Sequence, residues 1–352
     1  MKFSADDPLL RELRGIVDRY FEEHELAKRG HPRIWVKAVV ILSWFAASYA
    51  VLVFAPVPWF GKLAAAGIGF NIMHDGGHGS FSNSGTANRW MFRTLDLLGG
   101  SSYLWAHKHN RAHHTFTNVE GHDSDIDAGS ALRLSPNQPL RFHHRFQHAY
   151  AWLVYGLLVP KWVFVDDFAV LARGRIGITK VALPRGSELA VFAIGKLVAV
   201  SLALGLPLFL HPPLAVLALY AVVALVTGVT LSVVFQLAHV VPGTQFPVHE
   251  PDSMSADAWS AHQLLTTADF APRNRLLTWY VGGLNFQIEH HLFPRIAHVH
   301  YAKIAPLVRE AAQHHGLPYL VHGTFRGAIG AHFRHLRYLG RPDGLEGAAL
   351  AS

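Results

Sequence analysis

The sequence predicts an all-α integral membrane protein. It has four transmembrane helices paired as two hairpins, interfacial helices beside them, and a cytosolic histidine-rich cap. Three observations lead there. Of 352 residues, 51% are hydrophobic, and they gather into long runs. Basic residues fall almost wholly on one side of those runs. Histidine occurs 25 times, and three tight clusters of it stand at the edges of apolar stretches.

A bilayer crossing takes roughly 20 apolar residues. Four stretches meet that need, at about 35–55, 57–73, 189–210 and 213–240. The turns Pro56-Val57-Pro58 and His211-Pro212-Pro213 separate the members of each hairpin. With the N-terminus inside, residues 74–188 and 241–352 are inside as well, so all three clusters share one face, as a single metal site requires. The outer turns carry no lysine or arginine, and nearly all of the 31 basic residues lie in the inside segments. This is the positive-inside pattern; Lys62 and Lys196 fall within expected spans.

The apolar segment Ala151–Val165 is interrupted by Pro160-Lys161 and ended by Asp166-Asp167. As a further span it would put the third cluster opposite the first two. It therefore reads as an interfacial helix with its Trp and Tyr at headgroup depth, and Met91–Tyr103 reads the same way. Residues 1–34 are charged throughout and form a cytosolic N-terminal segment without a secretory signal. Residues 35–340 make up the membrane domain. Within it Glu120–Pro139 is polar and irregular, and 341–352 is a Gly- and Ala-rich flexible tail.

The net charge of +7 suits an anionic partner. The basic residues flank spans and form no stripe, which argues against nucleic acid. Cysteine is absent, which excludes disulfides, iron–sulfur clusters and thiolate ligation. Any metal must be held by nitrogen and oxygen.

The clusters are His74-Asp75-Gly76-Gly77-His78, His109-Asn110-Arg111-Ala112-His113-His114 and Gln287-Ile288-Glu289-His290-His291. Spacings of three or four put side chains on one helix face. A single pair means little in a chain so rich in histidine. Three clusters on one membrane face, with His239 at the foot of the fourth span, describe a site for two irons, which imidazole suits. Soluble four-helix diiron proteins use mostly carboxylates. Here Asp75, Asp123, Asp125, Asp127 and Glu289 adjoin the histidines and are expected to accept hydrogen bonds from their outer ring nitrogens. His107, His122, His143, His144, His148, His262, His298, His300, His314 and His315 read as surface or structural. Lys108, Arg111, Arg141 and Arg145 are candidates to hold a headgroup or an electron donor, against the plain reading of a solvated basic face.

Removing hydrogen from an unactivated methylene needs an oxidant stronger than any side chain. A diiron centre using O2 can supply it, so the residues point to an iron oxidase acting on lipid. A lipid hydroxylase on the same centre is an alternative. A metal transporter would place its ligands mid-membrane, and a haem electron carrier would place facing histidines deep in the spans. Histidines at span ends argue against both.

The chain resembles the membrane fatty-acid desaturases. The matching stretches are HDGGH at 74–78, WAHKHNRAHHTFTNVEGHD at 105–123, FQLAHV at 235–240 and NFQIEHHLFP at 285–294, and the likeness runs over nearly all of 35–320. Gln287, where many desaturases have histidine, resembles the front-end subgroup and bacterial linoleoyl-CoA-type enzymes. Those insert a cis double bond between an existing one and the carboxyl end. The resemblance implies a cytosolic diiron site ligated by His74, His78, His109, His113, His114, His239, His290 and His291, with Gln287 at a ninth position. It implies an acyl tunnel beneath, O2 as co-substrate, an acyl-CoA or acyl-lipid substrate and a bacterial inner-membrane location. Many front-end enzymes carry a cytochrome b5 domain with an HPGG motif, which Gly30-His31-Pro32-Arg33 is not. Two electrons are then expected from a separate ferredoxin or cytochrome b5 with its reductase.

Overall fold

The computed structural model describes residues 2–55, 70–248 and 254–342. Three of its helices are long and apolar enough to cross a membrane: Pro32–Phe54, Ser187–Leu210 and Pro213–His239, of 23, 24 and 27 residues. At 1.5 Å per residue each covers a hydrocarbon core of about 30 Å. Proline opens the first and last of them, where its missing N–H is no loss. Phe209, Leu214, Leu197 and Val226 stand exposed on these helices, an apolar surface that fits lipid. The expected second span, 57–73, falls mostly outside the described residues, as do Lys62 and the tail from 343 on. Its end, Phe70–Met73, opens the helix Phe70–His78, which carries the first cluster.

The expected interfacial segment at 151–165 lies in a helical run from Gln147 to Arg173, with a π-helical turn at Trp162–Asp166. It packs along the last span where glycine meets glycine. A Cβ on Gly228 would stand 2.5 Å from the carbonyl oxygen of Gly156, so the helices approach closely only because both residues are small. The segment at 91–103 belongs to the helix Gly85–Leu97 and to the turn leading into Ser102–Trp105.

The fold is mostly helical but not purely so: Lys2–Ser4 pairs in parallel with Met254–Ala258, Asp269–Phe270 in parallel with Val321–His322, and Arg175–Ile176 antiparallel with Thr179–Lys180. These short pairings satisfy backbone groups in the connections of the cap. The charged N-terminal segment is also part of the packed cap. Its helix Pro8–Glu23 sets Leu9, Leu13, Val17 and Phe21 at four-residue intervals, a buried stripe. Leu9 and Leu13 pack with Val308, Ala311 and Ala312 of the helix Tyr301–His314. Asp7 caps the N-terminal helix through Leu10 N and also accepts from Ser260 N at 3.0 Å, tying it to the cap.

Candidate metal centre

Four pieces of backbone deliver the histidines. The helix Phe70–His78 gives His74 and His78. Gly76 and Gly77 let it sit close: a Cβ on Gly76 would meet the Phe92 backbone nitrogen at 2.6 Å, and one on Gly77 the Trp105 ring at 2.8 Å. The second cluster lies on a π-helix, Ala106–His113, continued by the bond from His114 N to His109 O at 3.0 Å. That winding hydrogen-bonds residue i to i+5 and often marks a functional site. It brings His114 onto the face of His109 and His113, which an α-helix would not do. The last span ends at His239, and the short helix Gln287–Leu292 supplies His290 and His291.

All eight converge. His74, His78, His109 and His290 form one group and His113, His239 and His291 another, with ligand atoms in each group within 4.8 Å of one another. His114 stands between them. Its ring centroid is 4.7 Å from those of His78 and His290 and 4.4 Å from that of His291. Gln287 sets its amide 3.0 Å from His239 Nε2 and 3.3 Å from His291 Nε2. Every one of these side chains is buried. The buried Nε2 atoms of His74, His78, His113 and His290 have no hydrogen-bond partner among the described residues. An orphaned buried polar atom is costly, and three of them in the four-histidine group with a fourth, that of His113, in the three-histidine group fit a metal centre held by nitrogen.

The outer ring nitrogens of four of these histidines are held. His113 Nδ1 donates to Asp123 at 3.0 Å, His291 Nδ1 to Gln263 Oε1 at 2.7 Å and His239 Nδ1 to the Thr266 carbonyl at 3.2 Å. His290 Nδ1 lies 3.3 Å from the Tyr301 hydroxyl. Such contacts fix the tautomer and leave Nε2 free for metal. Trp105 stacks on His109 with centroids 4.3 Å apart. Burial pushes His74 down to about 4, opposed by Asp75. Burial, and then the neighbouring rings, hold His78, His109, His114, His290 and His291 well below the usual imidazole range. They are therefore neutral at neutral pH, the form that binds metal. His113 goes the other way: burial opposes its charge, but Asp123 and Asp125 outweigh it. Burial likewise opposes the Asp123 carboxylate, yet His113 and the amides of Asn118 and Asp125 bring it to about 2.

Three of the five expected carboxylate partners are placed differently. Asp75 is next to His74 in sequence, hence about 100° around the helix, and it accepts from His298 Nδ1 at 2.7 Å instead. Glu289 accepts from the Tyr319 hydroxyl at 2.8 Å. Asp127 is exposed and closes a turn onto Gly129 N. Asp123 bonds His113, and Asp125 lies 3.6 Å from the same ring while pairing with Lys108 at 2.8 Å. Lys108 is thus engaged by Asp125. Arg111, Arg141 and Arg145 are exposed. Sequence reading missed Gln263 and Tyr301. The buried polar run His262, Gln263, Thr266, Thr267 on an otherwise apolar stretch was the available signal.

A cavity of about 700 Å³ runs from His74, Trp105 and His109 between the three long helices and the 147–166 run, past Leu219, Val223 and Phe235, to His211 and Pro212. Its walls are largely apolar, with Lys108 and Asp125 beside His113 and the pair Lys161–Asp166 among the polar lining.

The fatty acid desaturase family matches residues 42–323. The chain is 36% identical over 93% of its length to the sn-1 linoleoyl-lipid 6-desaturase of Arthrospira platensis, covering 91% of that protein. It is 35% identical over 97% of its length to the enzyme of the same description from a Synechocystis strain, covering 98% of it. With the acyl-lipid (8-3)-desaturase of Physcomitrium patens it shares 38% identity over 92% of this chain and 70% of that one. No solved structure matches. A family match across most of the sequence, with relatives aligned nearly end to end, places this chain in the fatty acid desaturase family.

Proposed function

We propose that the chain is an O2-dependent acyl-lipid desaturase holding two non-haem irons, which inserts a cis double bond on the carboxyl side of an existing one. The observation that carries this reading is the convergence of eight buried histidines at the head of an apolar cavity. His74, His78, His109 and His290 hold one iron, and His113, His239 and His291 the other, with His114 between them. Gln287 completes the three-histidine side, by its carbonyl oxygen or through water. Bound there, the two irons supply the reduction of O2 and the oxidising strength to take two hydrogens from adjacent methylenes. One O2, two external electrons and two protons balance one double bond and two waters.

The protein's own part is to keep His74, His78, His109, His114, His290 and His291 neutral by burial, to fix ring orientation through Asp123, Gln263, Thr266 and Tyr301, and to exclude water. The apolar walls hold the acyl chain extended against the irons. The names of the relatives support an acyl lipid as substrate and a front-end position. Electrons come from ferredoxin or cytochrome b5 with a reductase, docked on the basic face that includes Arg111, Arg141 and Arg145. The topology is four spans in two hairpins in a bacterial inner membrane, with both termini and the metal centre cytoplasmic, in keeping with the positive-inside pattern.

Gas chromatography–mass spectrometry of lipids from a host expressing the chain with a redox donor tests this. Fed oleate, linoleate or α-linolenate, the cells are expected to show a new double bond on the carboxyl side of an existing one. A hydroxylated product would move the chain to the hydroxylases. No product from an inserted, iron-loaded protein with any of the three acids would contradict the substrate reading.

A further inference from the structure

Three buried polar side chains outside the histidine groups form a chain of their own. Lys37, in the first span, places Nζ 3.2 Å from His298 Nε2, and His298 Nδ1 meets Asp75 Oδ2 at 2.7 Å. Their residue exposures are 5%, 6% and 5%. The polarity is fixed. Lys37 can only donate and an ionised Asp75 only accept, so His298 takes a proton contact on Nε2 and gives one from Nδ1. Ile34, Ala38, Ile72 and Phe81 form an apolar cluster alongside, and the Lys37 ammonium also lies 5.5 Å from the Trp279 ring. The contacts join three segments remote in sequence.

We infer that Lys37–His298–Asp75 is a positioning strap for the four-histidine group, setting the rotation of the helix that carries His74 and His78. The inference rests on the proposed diiron reading and adds residues to it. Asp75 follows His74 directly on the short helix Phe70–His78, so fixing its carboxylate fixes the direction in which His74 projects. His298 stands in a 3-10 turn at 298–300, immediately before Tyr301, whose hydroxyl meets His290 Nδ1. The same strap therefore steadies two of the four ligands, His74 through Asp75 and His290 through Tyr301. The three-histidine group has separate supports in Asp123, Gln263 and Thr266, so the strap acts on one metal position and not the other. In some proteins buried charge networks of this kind specify geometry more than they add stability, and the strap is assigned that part here.

The test uses the full chain in detergent. Iron per chain and hydrogen exchange of residues 70–81 are measured for wild type, His298→Phe, His298→Gln and the charge-balanced double variant K37M/D75L, which leaves His298 neither partner. His298→Phe is expected to fall from two irons to about one. Exchange over 70–81 is expected to rise at least tenfold even after chelation. Glutamine can both donate to Asp75 and accept from Lys37, so His298→Gln is expected to recover most of the second iron. The double variant removes both charges and is expected to melt near wild type yet stay at one iron. Two irons at wild-type affinity in His298→Phe or in the double variant would overturn the strap. If wild type itself holds no iron while His298→Phe still loosens 70–81 after chelation, the diiron reading fails and the strap stands. Unchanged exchange in that case overturns the strap as well.

Discussion

Replacing His290 with alanine is expected to abolish double-bond formation while the protein still inserts and folds. His290 belongs to the four-histidine group, and its ring also touches His114, which stands between the two groups. Losing an outer partner of a metal ligand typically lowers metal affinity or activity by about 10- to 100-fold, and loss of the ligand itself should exceed that. Truncation also leaves the Tyr301 hydroxyl facing an empty space. The checks are product by gas chromatography–mass spectrometry and iron per chain on the same membranes. Product near the wild-type level from His290→Ala would remove His290 from the ligand set.

A substitution remote from the histidines should be nearly as damaging. Gly228→Leu in the last span is expected to destabilise the protein by about 3 kcal/mol or more, the upper end for overpacking. The added side chain would begin 2.5 Å from the Gly156 carbonyl oxygen and 2.7 Å from that of Tyr155. Backbone atoms cannot step aside as a flexible side chain can. The helices must separate, opening the cavity wall that both contribute. Thermal unfolding in detergent and the yield of monodisperse protein measure this. A variant as stable as wild type would mean that the helices do not pack as described.

The positions of the histidines were readable in the sequence because helical spacing is a local property. Three of the long helices were readable because a run of some 20 apolar residues has few other uses. What was not readable depended on direction or on distance along the chain. The i,i+4 spacing of His109 and His113 fits an α-helix equally well, and nothing in it announces the π winding that brings in His114. Asp75 and Glu289 were assigned to outer ring nitrogens because they stand beside histidines in sequence. Neighbours on a helix point about 100° apart, so they reach other partners, His298 and Tyr319. His298 itself read as a structural histidine, and its part emerges only when Lys37, 261 positions away, comes within 3.2 Å. The N-terminal helix was hidden by its charged exposed face, although Leu9, Leu13, Val17 and Phe21 had the spacing of a buried stripe.

Counting metal in the purified wild-type chain tests the diiron centre most directly. Iron analysis combined with Mössbauer and optical spectroscopy is expected to find two non-haem irons per chain, in two distinct nitrogen-rich environments, and no Soret band. A haem spectrum, or a folded and inserted protein that takes up no iron at any supplied concentration, would contradict it.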